Sequence, residues 1–70
     1  MLLHTEAETA KILRVSERTL QRWRELGVGP AFTRLGRRIV YSRKAIEEFI
    51  ARRTFSSIAA ADVEDAAGRG

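Results

Sequence analysis

The sequence predicts a mainly α domain carrying one small β-hairpin, in the order helix, turn, helix, two-stranded hairpin, third helix. Three observations carry this. Thr5, Ser16 and Ser42 are capping residues, and each opens a stretch whose apolar residues recur at helical spacing. Gly27, followed by Gly29-Pro30, closes the second of these stretches. Between residues 32 and 41, β-branched and aromatic types gather on either side of Gly36-Arg37.

Thr5 and Glu8 form a capping box, in which each side chain satisfies an orphan amide of the first turn. The first helix is expected from about Glu6 to Leu13. Ala7, Ala10 and Leu13 make its inner face, Ile12 lies beside them, and Glu8 and Lys11 fall outside. Arg14-Val15-Ser16 interrupts that spacing. Ser16 is a good N-cap, and Glu17 complements the dipole of the next helix. This second helix is expected from about Glu17 to Leu26, with Gly27 as its left-handed end. At about 100° per residue, Ser16, Thr19, Leu20, Trp23 and Leu26 share the side expected to be buried. Glu17, Arg18, Gln21, Arg22 and Glu25 share the opposite side.

Val28-Gly29-Pro30-Ala31 reads as a loop. Phe32–Leu35 and Arg38–Tyr41 read as two strands joined by the two-residue turn Gly36-Arg37, with glycine first. In that register Phe32 faces Tyr41, Ile39 shares their side, and that side should pack on the helices. Ser42 caps a third helix running to about Arg53, with Ile46, Phe49 and Ile50 as its apolar stripe and Glu47 and Glu48 facing water. Residues 1–53 are thus expected to form the folded unit. Residues 54–70 are expected to be a flexible or weakly helical acidic tail. There IAAADVEDAA favours helix, but its stripe of Ile58 and Val63 is thin, and Gly68-Arg69-Gly70 should be disordered.

Composition narrows the function classes. The 70 residues are expected to hold one small domain, and 44% hydrophobic residues suffice for one compact core. Such a core supplies only about 3–5 kcal/mol. With no cysteine there are no disulfides or cysteine-based zinc sites, and a cytoplasmic location, in contact with the nucleoid, is expected. His4, the single histidine, is expected to be solvated and cannot build a metal site alone. No apolar run approaches the roughly 20 residues of a membrane span, and the start lacks the features of a signal peptide. The sequence contains no Ser/His/Asp set, no His/Cys cluster and no glycine-rich phosphate loop. No enzymatic activity, cofactor, metal or small-molecule ligand is therefore expected.

Charge gives the positive clue. Lys and Arg number 13 against nine acids, for a net +4, and eleven of the 13 are Arg. From Arg14 to Lys44 there are nine basic residues and two acids, a balance of +7. From Phe55 onward there is one basic residue and three acids, a balance of −2. A basic middle points to an anionic partner, and arginine's planar fork suits phosphates and guanine edges. On the outer face of the second helix, Arg18 and Arg22 are of the type that pairs with guanine and Gln21 of the type that pairs with adenine. The plain alternative is a solvated face laced with ion pairs such as Arg18–Glu25 or Arg22–Glu25. Arg37 and Arg38 sit at the hairpin tip close to Arg34, as in a wing that touches DNA backbone or minor groove. Edge-strand protection by charge is the alternative there.

In this order, the elements resemble the small winged helix-turn-helix domains of the excisionase family, which are related to the DNA-binding domain of MerR-like regulators. The resemblance spans about Leu2 to Ile50. It is carried by Leu3, Thr5, Glu8, Ala10, Leu13, Val15, Ser16, Thr19, Leu20 and Arg22, then by Pro30, Arg34, Leu35, Gly36, Arg37, Arg38, Tyr41, Ile46 and Phe49. It implies that the second helix enters the major groove of double-stranded DNA and the hairpin lies on the adjacent minor groove or backbone. Arg18, Gln21 and Arg22 would then sit at the groove beside Glu17, and Arg34, Arg37 and Arg38 at the wing. Ser16 would mark where the helix N-terminus meets a phosphate. Arg14 and Arg24 are expected as additional phosphate contacts. Arg14 stands where the family usually has glycine, so a turn needing positive φ would cost about 1 kcal/mol there.

The resemblance further implies an excisionase, or recombination directionality factor. Such a protein binds cooperatively, self-associates on DNA, bends it and directs a site-specific integrase toward excision. A small transcriptional regulator without an effector domain is the alternative on the same fold. A protein-interaction adaptor, whose basic face binds an acidic protein, is a third reading.

Overall fold

The computed structural model describes residues 2–62. The expectations for Val63 and for Gly68-Arg69-Gly70 fall outside them. Six elements follow in order: β1 (Leu3–Thr5), α1 (Glu6–Leu13), α2 (Glu17–Leu26), β2 (Thr33–Leu35), β3 (Arg38–Ser42) and α3 (Arg43–Arg52). The domain is mainly helical with a hairpin, as a winged helix-turn-helix requires.

The helix starts follow from local hydrogen bonds. The Thr5 N–H donates to Glu8 Oε1 at 2.8 Å and the Glu8 N–H donates to Thr5 Oγ1 at 3.1 Å, completing the capping box of α1. Ser16 Oγ accepts from the Thr19 N–H at 3.0 Å, and Ser42 Oγ accepts from the Ala45 N–H at 3.1 Å. The Thr5 N–H holds the Glu8 carboxyl below its ordinary value of 4.5. A lowered folded-state pKa stabilises the fold above the ordinary value, and that stability is lost as pH falls through the lowered one. Acid melts should therefore fall less steeply in Glu8→Gln than in the wild type below about pH 4.5. Superimposable acid limbs would show that the capping box carries no pH dependence.

Helices α1 and α2 end in the same way. The Arg14 N–H donates to Lys11 O at 3.2 Å and the Val15 N–H to Ala10 O at 3.0 Å. The Gly27 N–H donates to Arg24 O at 3.3 Å and the Val28 N–H to Trp23 O at 3.0 Å. Both are Schellman ends with a left-handed residue, Gly27 at φ 73° and Arg14 at φ 59°. Arg14 is the one non-glycine residue with positive φ among the described residues. The strain costs about 1 kcal/mol, so Arg14→Gly should raise the melting temperature by about 4–8 °C. An unchanged or lower melting temperature would show that the Arg14 side chain repays its backbone.

The sheet has the order β1-β3-β2, antiparallel throughout. The hairpin register is the expected one, with Thr33 opposite Val40, Arg34 opposite Ile39 and Leu35 opposite Arg38 across the Gly36-Arg37 turn. Gly36 takes φ 63°, and Phe32 meets Tyr41 edge-on at 6.5 Å between ring centroids. The strand β1 is an addition to the two expected. It pairs Leu3 with Ser42, His4 with Tyr41 and Thr5 with Val40, and the Arg43 N–H donates to Leu2 O at 3.1 Å. Three residues are too few for a visible alternation, and their partner lies far along the chain. His4 is accordingly not a solvated residue. Its side chain is largely covered, Nδ1 lies 3.9 Å from Glu8 Oε1, and Nε2 is buried without a hydrogen-bond partner.

Leu20 and Tyr41 are fully buried and form the core with Ala10 and Ile46; Leu13, Val15, Trp23 and Ile39 pack around them. Trp23 also stacks at a tilt on Phe49, 5.5 Å between centroids. Gly29 lets the loop pass over Trp23, because a Cβ there would lie 2.9 Å from the Trp23 Cβ. Four apolar expectations are corrected. Ala7 and Ile12 are exposed, Leu26 is 64% exposed and Ile50 is 45% exposed. The inner stripe of α1 is Glu6, Thr9, Ala10 and Leu13. Thr9 tolerates full burial because its hydroxyl donates to Thr5 O at 2.8 Å. Val40, on the other sheet face, is buried between its flanking partners Thr5 and Thr33.

Residues 58–62 are helical. Ser57 opens this turn, accepting from the Ala60 N–H through its side chain and from the Ala61 N–H through its carbonyl, both at 3.2 Å.

Candidate nucleic-acid interface

Burial of Leu20, with Trp23 half-buried beside it, fixes which side of α2 faces outward. Ser16, Glu17, Arg18, Gln21, Arg22 and Glu25 are all exposed. Arg18 and Arg22 are one turn apart and therefore stacked along one face, with Gln21 beside them. Ten residues give α2 a length of about 15 Å. The ion pairs that would make this an ordinary solvated face do not form: among the described residues, neither Arg18, Arg22 nor Glu25 takes part in a salt bridge. Their forks are free to meet bases or phosphates.

Ser16 serves the helix directly. Its hydroxyl accepts from the Thr19 N–H and donates to Thr19 Oγ1 at 2.9 Å. The remaining first-turn amides of α2 have no intrahelical acceptor by helix geometry, which leaves them at an exposed helix N-terminus. Arg14, exposed in the left-handed turn just before it, adds positive charge at the same end.

On the hairpin, Arg34, Arg37 and Arg38 are exposed, and none pairs with an acid among the described residues. The pleat separates them. Arg34 shares the Ile39 side, Arg38 shares the Leu35 side, and Arg37 occupies the turn. The wing therefore presents positive charge on both faces and at its tip.

Arg24 departs from expectation. Its side chain is 16% exposed and hydrogen-bonds the Glu6 carboxylate through Nη1. The same nitrogen donates to the Tyr41 hydroxyl at 3.4 Å, and the guanidinium lies 5.9 Å over the Phe32 ring. Hydrogen bonds to Tyr41 and Glu6 raise its pKa above the ordinary arginine value. Arg24 is thus an internal partner and is not presented to a phosphate. A sequence signal existed: Arg24 follows Leu20 by four residues, which places it beside the buried face.

The sequence model of a family described as a helix-turn-helix domain matches residues 5–54, from the cap of α1 to just past α3. No curated protein and no solved structure matches the chain at a significant level. Among the described residues, no helix is long and apolar enough to cross a membrane.

Proposed function

We propose that this chain, which belongs to the helix-turn-helix domain family and is a DNA-binding protein of that type, acts as an excisionase. In this reading α2 reads bases in the major groove of double-stranded DNA and the β2–β3 wing holds the neighbouring backbone. Several copies bind side by side, bend the duplex and direct a site-specific integrase toward excision. The observation that carries the reading is the unpaired Arg18–Gln21–Arg22 face, held outward by buried Leu20. Support for the recombination role comes from the resemblance to the excisionase family in the order and spacing of the elements.

Groove and wing arginines should respond differently to truncation. Arg22→Ala should cost about 1–3 kcal/mol on the specific site and relax its sequence preference. Arg38→Ala should weaken specific and random duplexes equally. Competition binding on both duplexes measures this, and uniform losses in both variants would remove α2 as the reader. Footprinting on the native site, with sedimentation of the free protein, tests the assembly. A monomer that protects direct repeats supports the excisionase reading. A stable dimer on a palindrome would assign a conventional regulator.

A further inference from the structure

Arg24 contacts every element needed to place one DNA-binding surface relative to the other. It belongs to α2, yet its fork bonds Glu6 at the start of α1 and the Tyr41 hydroxyl on β3, and it lies over Phe32 at the entry to β2. The contacts are largely sheltered, with 16% of the Arg24 side chain and 28% of the Glu6 side chain exposed. One guanidinium nitrogen reaches both Glu6 and Tyr41 while the planar group lies over Phe32, a combination that a lysine ammonium, a single point of charge, does not reproduce. At about 100° per residue, Arg24 lies between buried Leu20 and exposed Gln21 on the surface of α2, and Tyr41 stands on β3, a strand of the wing.

We infer that Arg24 is a positioning residue that fixes the wing relative to α2, so that groove reading and backbone contact reach the duplex as one rigid surface. The inference rests on the DNA reading above. Two contact surfaces held in register act as a bivalent ligand, and loosening their connection lowers the effective concentration of the second contact once the first has formed. Residues that touch no ligand alter such coupling by roughly 2–30-fold in affinity. Fidelity should fall along with affinity, because α2 then meets the bases at variable angles.

The discriminating variant is Glu6→Gln. Removing an acid from a DNA-binding protein tightens binding if only charge matters. Loss of the Arg24 anchor predicts the opposite sign. The experiment compares wild type, Arg24→Met and Glu6→Gln by duplex titration on the specific site and on random sequence. Several salt concentrations are used, at a temperature where circular dichroism shows each protein folded. Arg24→Lys, which keeps the charge without the fork, replaces Arg24→Met should the latter fail to fold. The expected result is a roughly 2–30-fold loss of specific affinity in both variants, a smaller specific-to-random ratio, and an unchanged slope of log affinity against log salt. A slope shallower by about 0.9 in Arg24→Met, or tighter binding by Glu6→Gln, would overturn the proposal in favour of a direct phosphate contact or a simple charge effect. An unchanged specific-to-random ratio would overturn it in favour of a purely structural role. Wild-type protein that binds neither duplex would defeat the DNA reading itself, and this inference with it.

Discussion

Raising salt from 50 to 200 mM should weaken duplex binding by about 150- to 500-fold, an effect from counterion release at four to five phosphates. Of the nine basic residues between Arg14 and Lys44, Arg24 is engaged with Glu6, and Arg43 bonds Glu47 at 3.2 Å. Arg14, Arg18, Arg22, Arg34, Arg37 and Arg38 are exposed without an ion pair among the described residues. One or two of these are committed to bases, which leaves four or five for the backbone. At about 0.9 per phosphate the slope of log affinity against log salt is about −3.6 to −4.5. Fluorescence anisotropy with a labelled duplex measures it. A slope near zero would show that these arginines do not meet the phosphate backbone.

Leu20→Ala should leave the domain largely unfolded at 37 °C. Leu20 is fully buried and packs with Ala10, Tyr41 and Ile46. Truncating such a leucine costs about 3–5 kcal/mol, the lost transfer energy plus the cavity left behind. That equals the whole stability a core of this size provides. Each kcal/mol moves the melting temperature of a domain this small by about 4–8 °C. The expected drop therefore exceeds 10 °C. A cooperative melt within 5 °C of the wild type would show that the helices collapse onto the vacated space.

What the sequence revealed of the fold follows the range of the interactions. Caps act over three residues, so Thr5, Ser16, Ser42 and Gly27 place the helix ends from local chemistry alone. The two-residue turn at Gly36-Arg37 sets the hairpin register in the same way. The outward face of α2 is legible too, because Leu20 gives the phase of the helix. Interactions between distant segments are not legible. Pairing of Leu3–Thr5 with β3 depends on a strand far along the chain, and it carries His4 inward with it. Glu6 and Arg24 look like surface charges until α1 and α2 are brought together, and apolar spacing cannot announce a buried stripe that is partly polar. Arg24, expected at a phosphate, anchors the helix from behind through Glu6; its four-residue spacing from Leu20 places it beside the buried face but does not name its partner.

The pairing of β1 with β3 also bears on how the chain is made. During vectorial synthesis residues 3–5 leave the ribosome well before residues 38–42, and until then the first strand has no partner. The α1–α2 pair can associate in the interval, since its contacts span a short stretch of chain. Closing the long loop between β1 and β3 costs about 3 kcal/mol of chain entropy, so it comes last, after the hairpin has formed. Thr5 belongs to both β1 and the cap of α1. The capping box of α1 is local and forms without that partner, so docking of β1 adds the Thr5–Val40 pairing to a helix start already in place, and residues 3–5 acquire their final form after the helices.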